Sequence, residues 1–191
     1  DNEQDLGDIT RLNKLPFKVD MIVGGVPCQS WSVAGKMKGF QDPRGKLWED
    51  TISLNLMSAV KTTHTLLPLL LKAKRVPVVI NISSIASRAG GSGDSLHYGV
   101  SKAALNIFTS GLAREFKKQE FGIRVVGIAP SIVDTDFQKR NSTKARLNKI
   151  IKDTPMKRIA LPEEIAELAY FLSSSKSMYI SGDTVFITGG R

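Results

Sequence analysis

The chain holds one cysteine, Cys28, among its 191 residues, so no disulfide can form within it, and a lone thiol suits a reducing compartment such as the cytoplasm. No stretch reaches the roughly 18 consecutive apolar residues that a membrane-spanning helix needs. The opening residues are acidic and polar, and no secretory leader is expected from them. Aromatic residues make up only 7% of the chain and are not interleaved with the basic ones. That spacing disfavours a nucleic-acid surface, although 27 Lys and Arg against 18 Asp and Glu give a net charge of +9 and leave an acidic partner conceivable. No internal repeat and no low-complexity tract is present, and no residue set is assigned to a metal.

What is present is ordinary for a globular chain: 41% hydrophobic and 24% charged residues, enough for one α/β domain over residues 1–191 with a real core. The most informative stretch is Tyr98-Gly99-Val100-Ser101-Lys102, which opens a strong helical pattern running to Lys118. Four residues span about one helical turn, so phenol and ammonium project from one face. A nearby ammonium favours the phenolate and lowers the phenol pKa, which suits proton exchange with a carbonyl or alcohol oxygen. Upstream, Val76-Pro77-Val78-Val79-Ile80-Asn81-Ile82-Ser83-Ser84 reads as a buried parallel strand that delivers Ser84 at its carboxyl end. Residues 19–24, 123–129 and 184–187 read as further strands. A near-helical apolar spacing covers 50–74, interrupted by Pro68. Residues 87–97 read as a glycine-rich loop and 131–153 as a basic stretch with a helical middle. Pro162-Glu163-Glu164 starts a helix reaching about Leu172.

In order and spacing, Asn55, Ser84, Tyr98-x-x-x-Lys102, the Gly127-Ile128-Ala129-Pro130-Ser131-Ile132-Val133-Asp134-Thr135 stretch and Leu161-Pro162-Glu163-Glu164 resemble the short-chain dehydrogenase/reductase family over roughly residues 48–190. The resemblance implies a partial Rossmann-like, doubly wound parallel sheet with flanking helices, lacking the first strands of the usual fold. It implies that Tyr98 is the acid/base and that Lys102 tunes it and bonds the nicotinamide ribose. Ser84 would hold the substrate oxygen and Asn55 would order a water in a proton relay. Pro130, Val133 and Thr135 match the loop that grips the carboxamide, with Ser131 where the family usually carries glycine.

A second resemblance covers about residues 5–47. Gly7-Asp8-Ile9-Thr10, a strand into Gly24-Gly25, then Val26-Pro27-Cys28-Gln29-Ser30 and Asp42-Pro43-Arg44-Gly45 are similar to the catalytic loop of DNA cytosine-5 methyltransferases. Cys28 stands at the nucleophile's position. No Phe-x-Gly-x-Gly loop for S-adenosylmethionine and no Glu-Asn-Val motif accompanies it, so this cofactor is not expected. Together the two resemblances imply a junction near Leu47-Trp48.

Three readings stay open. One is a recombined dehydrogenase fold, inactive or feeble, that keeps the Asn55–Ser84–Tyr98–Lys102 set without the Gly-rich turn that binds NAD or NADP. Another is a working NAD(P)-dependent oxidoreductase of a small carbonyl or alcohol, completed by homo-oligomerisation that also covers the edge at the 19–24 strand. The third is a nucleic-acid-binding remnant.

Overall fold

The computed structural model describes residues 21–24, 45–91 and 95–191, with backbone alone for 21–24, 45 and 46. Four strands, β1 (Met21–Gly24), β2 (Val78–Ile82), β3 (Arg124–Pro130) and β4 (Thr184–Ile187), form a sheet in the order β1-β2-β3-β4. All neighbours are parallel: Met21 pairs with Val78, Val78 with Arg124, and Gly127 with Thr184. Parallel strands cannot be joined by hairpins, so each connection crosses through helices.

The β1–β2 crossover holds α1 (Gly45–Ile52), a π-helical turn (Ser53–Met57) and α2 (Ser58–Leu70). The single helix expected over 50–74 is thus broken by a wider turn at Ser53–Met57, and Pro68 falls in the last turn of α2. The β2–β3 crossover holds α3 (Ala86–Ala89), a short helix inside the stretch read as a glycine-rich loop, and α4 (Leu96–Lys118). The basic 131–153 stretch resolves into α5 (Asp136–Asn141) and α6 (Lys144–Asp153), capped by the hydroxyls of Thr135 and Thr143. Then comes α7 (Pro162–Ser173), ahead of β4.

Alternation along the strands splits the core into two layers. Val79 and Val125 pack with Ile123, with Leu70 of α2 and with Phe116 of α4 on one face. Val78, Ile80, Val126 and Ile128 pack with Leu172 of α7 on the other. Burial on both faces explains why β2 and β3 read as unbroken apolar runs. Arg124, 5% exposed, enters this core and donates from Nη2 to the Leu172 carbonyl (2.8 Å) and from Nη1 to those of Ser177 (3.0 Å) and Ile180 (3.2 Å). It ties the end of α7 to the start of β3. At the other end of α7, Arg158 grips Glu164 through two 2.7 Å contacts, and Glu164 accepts the Leu161 N–H at 2.8 Å. Among the described residues no helix is long and apolar enough to cross a membrane.

Candidate active site

Open parallel sheets bind ligands beyond the carboxyl ends of their strands, and there the sequence places Ser84 and Pro130. Pairing of β2 with β3 continues past the strand end: the Ser83 N–H donates to the Ile128 carbonyl (2.7 Å) and the Ile85 N–H to that of Pro130 (2.8 Å). The loop bearing Ser84 is therefore an extension of the sheet. Ser84 Oγ accepts the Ala86 N–H at 3.1 Å. Two further bonds fasten the segment to α4: Ser83 Oγ donates to the Lys102 carbonyl (3.1 Å) and Asn106 Nδ2 donates to Ser87 Oγ (2.9 Å).

On α4, Tyr98 and Lys102 stand one turn apart as the spacing requires. Lys102 is 3% exposed, donates from Nζ to the Ile82 carbonyl at 2.9 Å, and holds Nζ 5.8 Å from the centre of the Tyr98 ring. An ammonium is a three-donor group, and here a carbonyl at the end of β2 orients it. Asn55 is buried in the π-helical turn and donates from Nδ2 to Ser101 Oγ at 2.9 Å, while Ser101 donates to the Tyr98 carbonyl at 2.8 Å. The extra residue of a π-turn re-aims side chains relative to a regular helix. Here it coincides with Asn55 reaching α4.

A cavity of about 520 Å³ opens over this platform, and both Ser84 and Tyr98 line it. Asn55 and Lys102 are not among the residues that line it. The three residues of the expected carboxamide loop have separate places in the fold. Pro130 is buried as the last residue of β3, Val133 bridges to Ala160, and Thr135 caps α5. None of these three lines the cavity, whereas their neighbours Ser131 and Ile132 do. Cys28 and the Pro27-Cys28-Gln29-Ser30 motif lie outside the described residues.

Sequence reasoning missed Ser83, Ser101 and Asn106, which pin the platform, and Gly99. A Cβ built on Gly99 would lie 2.5 Å from the Gly90 carbonyl carbon, so the Gly90–Gly91 turn crosses α4 at van der Waals limit beside Tyr98. Both turn glycines have positive φ, 78° and 82°. The glycines were visible in the sequence; the crossing was not. Among the described residues no group of three or more His, Cys, Asp or Glu could hold a metal ion. The Ser84 and Tyr98 hydroxyls that open into the cavity do suit a ligand rich in hydroxyl and carbonyl oxygens, such as a nicotinamide riboside.

Residues 18–191 match the family model described as Enoyl-(Acyl carrier protein) reductase. The match includes residues 18–47 and so begins about thirty residues before the expected junction at Leu47-Trp48. The chain is 36% identical over 143 residues to the 3-oxoacyl-[acyl-carrier-protein] reductase FabG of Chlamydia trachomatis, covering 75% of this chain and 56% of that protein. It is 30% identical over 183 residues to FabG of Buchnera aphidicola from Acyrthosiphon pisum, covering 95% and 70%. Among solved structures it is similar to a 3-oxoacyl-[acyl-carrier protein] reductase with bound NAD from Brucella melitensis (TM-score 0.74, 28% identity, 91% of this chain and 62% of that one). It is also similar to the RhlG/NADP active-site complex of Pseudomonas aeruginosa (TM-score 0.76, 30% identity, 91% and 66%). The chain thus spans little more than half the length of the Chlamydia relative.

Proposed function

Because the chain belongs to the short-chain dehydrogenase/reductase family of oxidoreductases, we propose that its cavity serves the nicotinamide-dependent interconversion of a carbonyl and an alcohol. The observation that carries this reading is the shared cavity: Ser84 and Tyr98 open into one space while the Lys102 ammonium is held buried below the tyrosine ring. The NAD bound to the Brucella melitensis reductase and the NADP of the Pseudomonas aeruginosa RhlG complex support the cofactor class.

In reduction, the Tyr98 hydroxyl gives its proton to the carbonyl oxygen; in oxidation, the phenolate takes the alcohol proton. Ser84 donates a second hydrogen bond to the same oxygen and so polarises it. The Lys102 ammonium favours the phenolate by charge and, with Tyr98, would hold the ribose. Asn55 acts first as a positioning residue, since its amide reaches Tyr98 through Ser101, and its place in a water relay is part of the same proposal. Pro130, Val133 and Thr135 would frame the carboxamide. A bound nicotinamide supplies or accepts the hydride. The residues described here fit that group through donor chemistry at the strand ends.

The test is oxidation of NADH or NADPH, followed by absorbance, with a panel of small ketones. Tyr98→Phe should reduce turnover by about 10²-fold or more, the usual share of a positioned acid/base. Equal rates for both proteins would remove Tyr98 from the chemistry. No turnover with either nicotinamide would leave the inactive recombined fold standing. Homo-oligomerisation belongs to the proposal as well: β1 is the outermost described strand on its side, and light scattering at micromolar concentration reports the assembly.

A further inference from the structure

The Ser84 hydroxyl can polarise a substrate oxygen only if its proton faces the cavity, and the turn that carries it decides this. A hydroxyl has one proton and two lone pairs. The Ala86 N–H takes a lone pair of Ser84 Oγ at 3.1 Å, which leaves the proton for the cavity. The turn is held by Ser87. Its N–H donates to the Ser84 carbonyl at 3.0 Å, and its hydroxyl donates to the same carbonyl at 2.7 Å. With its one proton committed there, Ser87 Oγ can only accept elsewhere, and Asn106 Nδ2 donates to it at 2.9 Å. Asn106 stands on α4, one turn beyond Lys102 and two beyond Tyr98, so the three follow one another along one side of the helix. The helix that carries the acid thereby also grips, through Asn106 and Ser87, the turn that carries the polarising hydroxyl.

The other end of the same amide separates this role from simple packing. Asn106 Oδ1 is buried and accepts no hydrogen bond among the described residues. A buried acceptor left unmade is unfavourable, whereas an apolar group of similar shape avoids that penalty. Leucine is also the better helix former. Stability alone therefore gives asparagine no advantage at this position, and its N–H to Ser87 is what leucine would lack.

We propose that Asn106 is a positioning residue for the Ser84 hydroxyl, holding it in register with Tyr98 through Ser87. The inference rests on the carbonyl–alcohol reading above and adds to that site a residue that does not line the cavity.

The experiment compares the full-length parent with Asn106→Leu, Ser84→Ala and the double variant. Asn106→Leu should lower kcat about tenfold, less than the roughly 10²-fold of a 1 Å misplacement, with kcat and kcat/KM falling together. The pH profile should keep its shape, because the loss falls on Ser84 and not on the Tyr98–Lys102 pair. The variant should melt within about 2 °C of the parent. In the Ser84→Ala background the same substitution should lower kcat no further, since the hydroxyl it positions is gone. Amide exchange reads the turn without turnover. The Ala86 amide, bonded to Ser84 Oγ, should exchange about tenfold faster in Asn106→Leu, while that of Ser83, bonded to the Ile128 carbonyl, stays as in the parent. An unchanged Ala86 amide, an undiminished loss in the Ser84→Ala background, or a lowered melting temperature with unchanged kcat overturns the proposal. Faster Ala86 exchange in a protein whose parent shows no nicotinamide-dependent turnover would sink the redox reading and leave the grip on the Ser84 turn standing.

Discussion

Gly99→Ala tests the crossing that holds the platform together. A methyl at Gly99 would sit 2.5 Å from the Gly90 carbonyl carbon, 2.7 Å from the Gly91 nitrogen and 2.8 Å from the Gly90 oxygen. All three are backbone atoms, so no flexible side chain can swing away. Restoring an ordinary 3.4 Å contact requires α4 and the Gly90–Gly91 turn to separate by about 0.9 Å, the difference between 3.4 and 2.5 Å. Overpacking of this kind costs about 1–3 kcal/mol. For a chain of this size each kcal/mol shifts the melting temperature by about 2–4 °C, so a drop of about 2–12 °C is expected. Of the two displaced elements, α4 carries Tyr98 and the turn ends the α3 segment that follows Ser84, and a misplacement of about 1 Å can lower turnover by about 10²-fold. Gly111→Ala, on the same helix, is the internal contrast. Its added methyl meets nothing within 4 Å, and an interior helix glycine replaced by alanine should stabilise by about 0.5–1 kcal/mol. Thermal unfolding followed by circular dichroism, paired with turnover, reads both. A Gly99→Ala protein that melts and turns over like the parent would refute the argument.

Arg124→Ala removes the donor to three backbone carbonyls and strands them in the core; a loss of about 2–4 kcal/mol is expected in urea unfolding, and a change under 1 kcal/mol would show that water replaces the guanidinium. Asn55→Ala withdraws the bond to Ser101 and should destabilise by about 1–3 kcal/mol, with faster amide exchange at Ser101 and Lys102 than in the parent. Glu164 supplies a pH signature. The Arg158 hydrogen bonds, then the Leu161 N–H, lower its pKa from 4.5 to about 2. A carboxylate with a lowered folded-state pKa stabilises above its unfolded value and loses that contribution as pH falls from about 4.5 to about 2. The gap in melting temperature between parent and Glu164→Gln should therefore close over that interval. Because both partners are solvent-exposed, the gap should be small and shrink further in salt.

Much of the architecture could be read along the chain. β2 and β3 announce themselves because burial on both faces demands continuous β-branched runs, and the strand expected at 184–187 coincides with β4. The start of α7 is local chemistry, with Pro162 at its first turn and two glutamates behind it. The pairing of Tyr98 with Lys102 follows from helical pitch alone. The break at Ser53–Met57 was not legible, since a π-turn inserts a residue without any glycine or proline to mark it. The upstream extent of the family match was not legible either: it begins at residue 18, whereas the motifs that carry the resemblance begin near residue 48.

Chain-local periodicity determined which residues this protein could bring to one helix face or one strand end, because pitch and alternation are properties of neighbours in sequence. Tertiary structure alone decided what those faces meet. It set Lys102 against the Ile82 carbonyl, Asn55 against Ser101, and Arg124 beneath the end of α7. The three hydrogen bonds among these contacts join residues 20 to 48 positions apart, and they depend on how closely two backbones approach, a distance that no local pattern encodes.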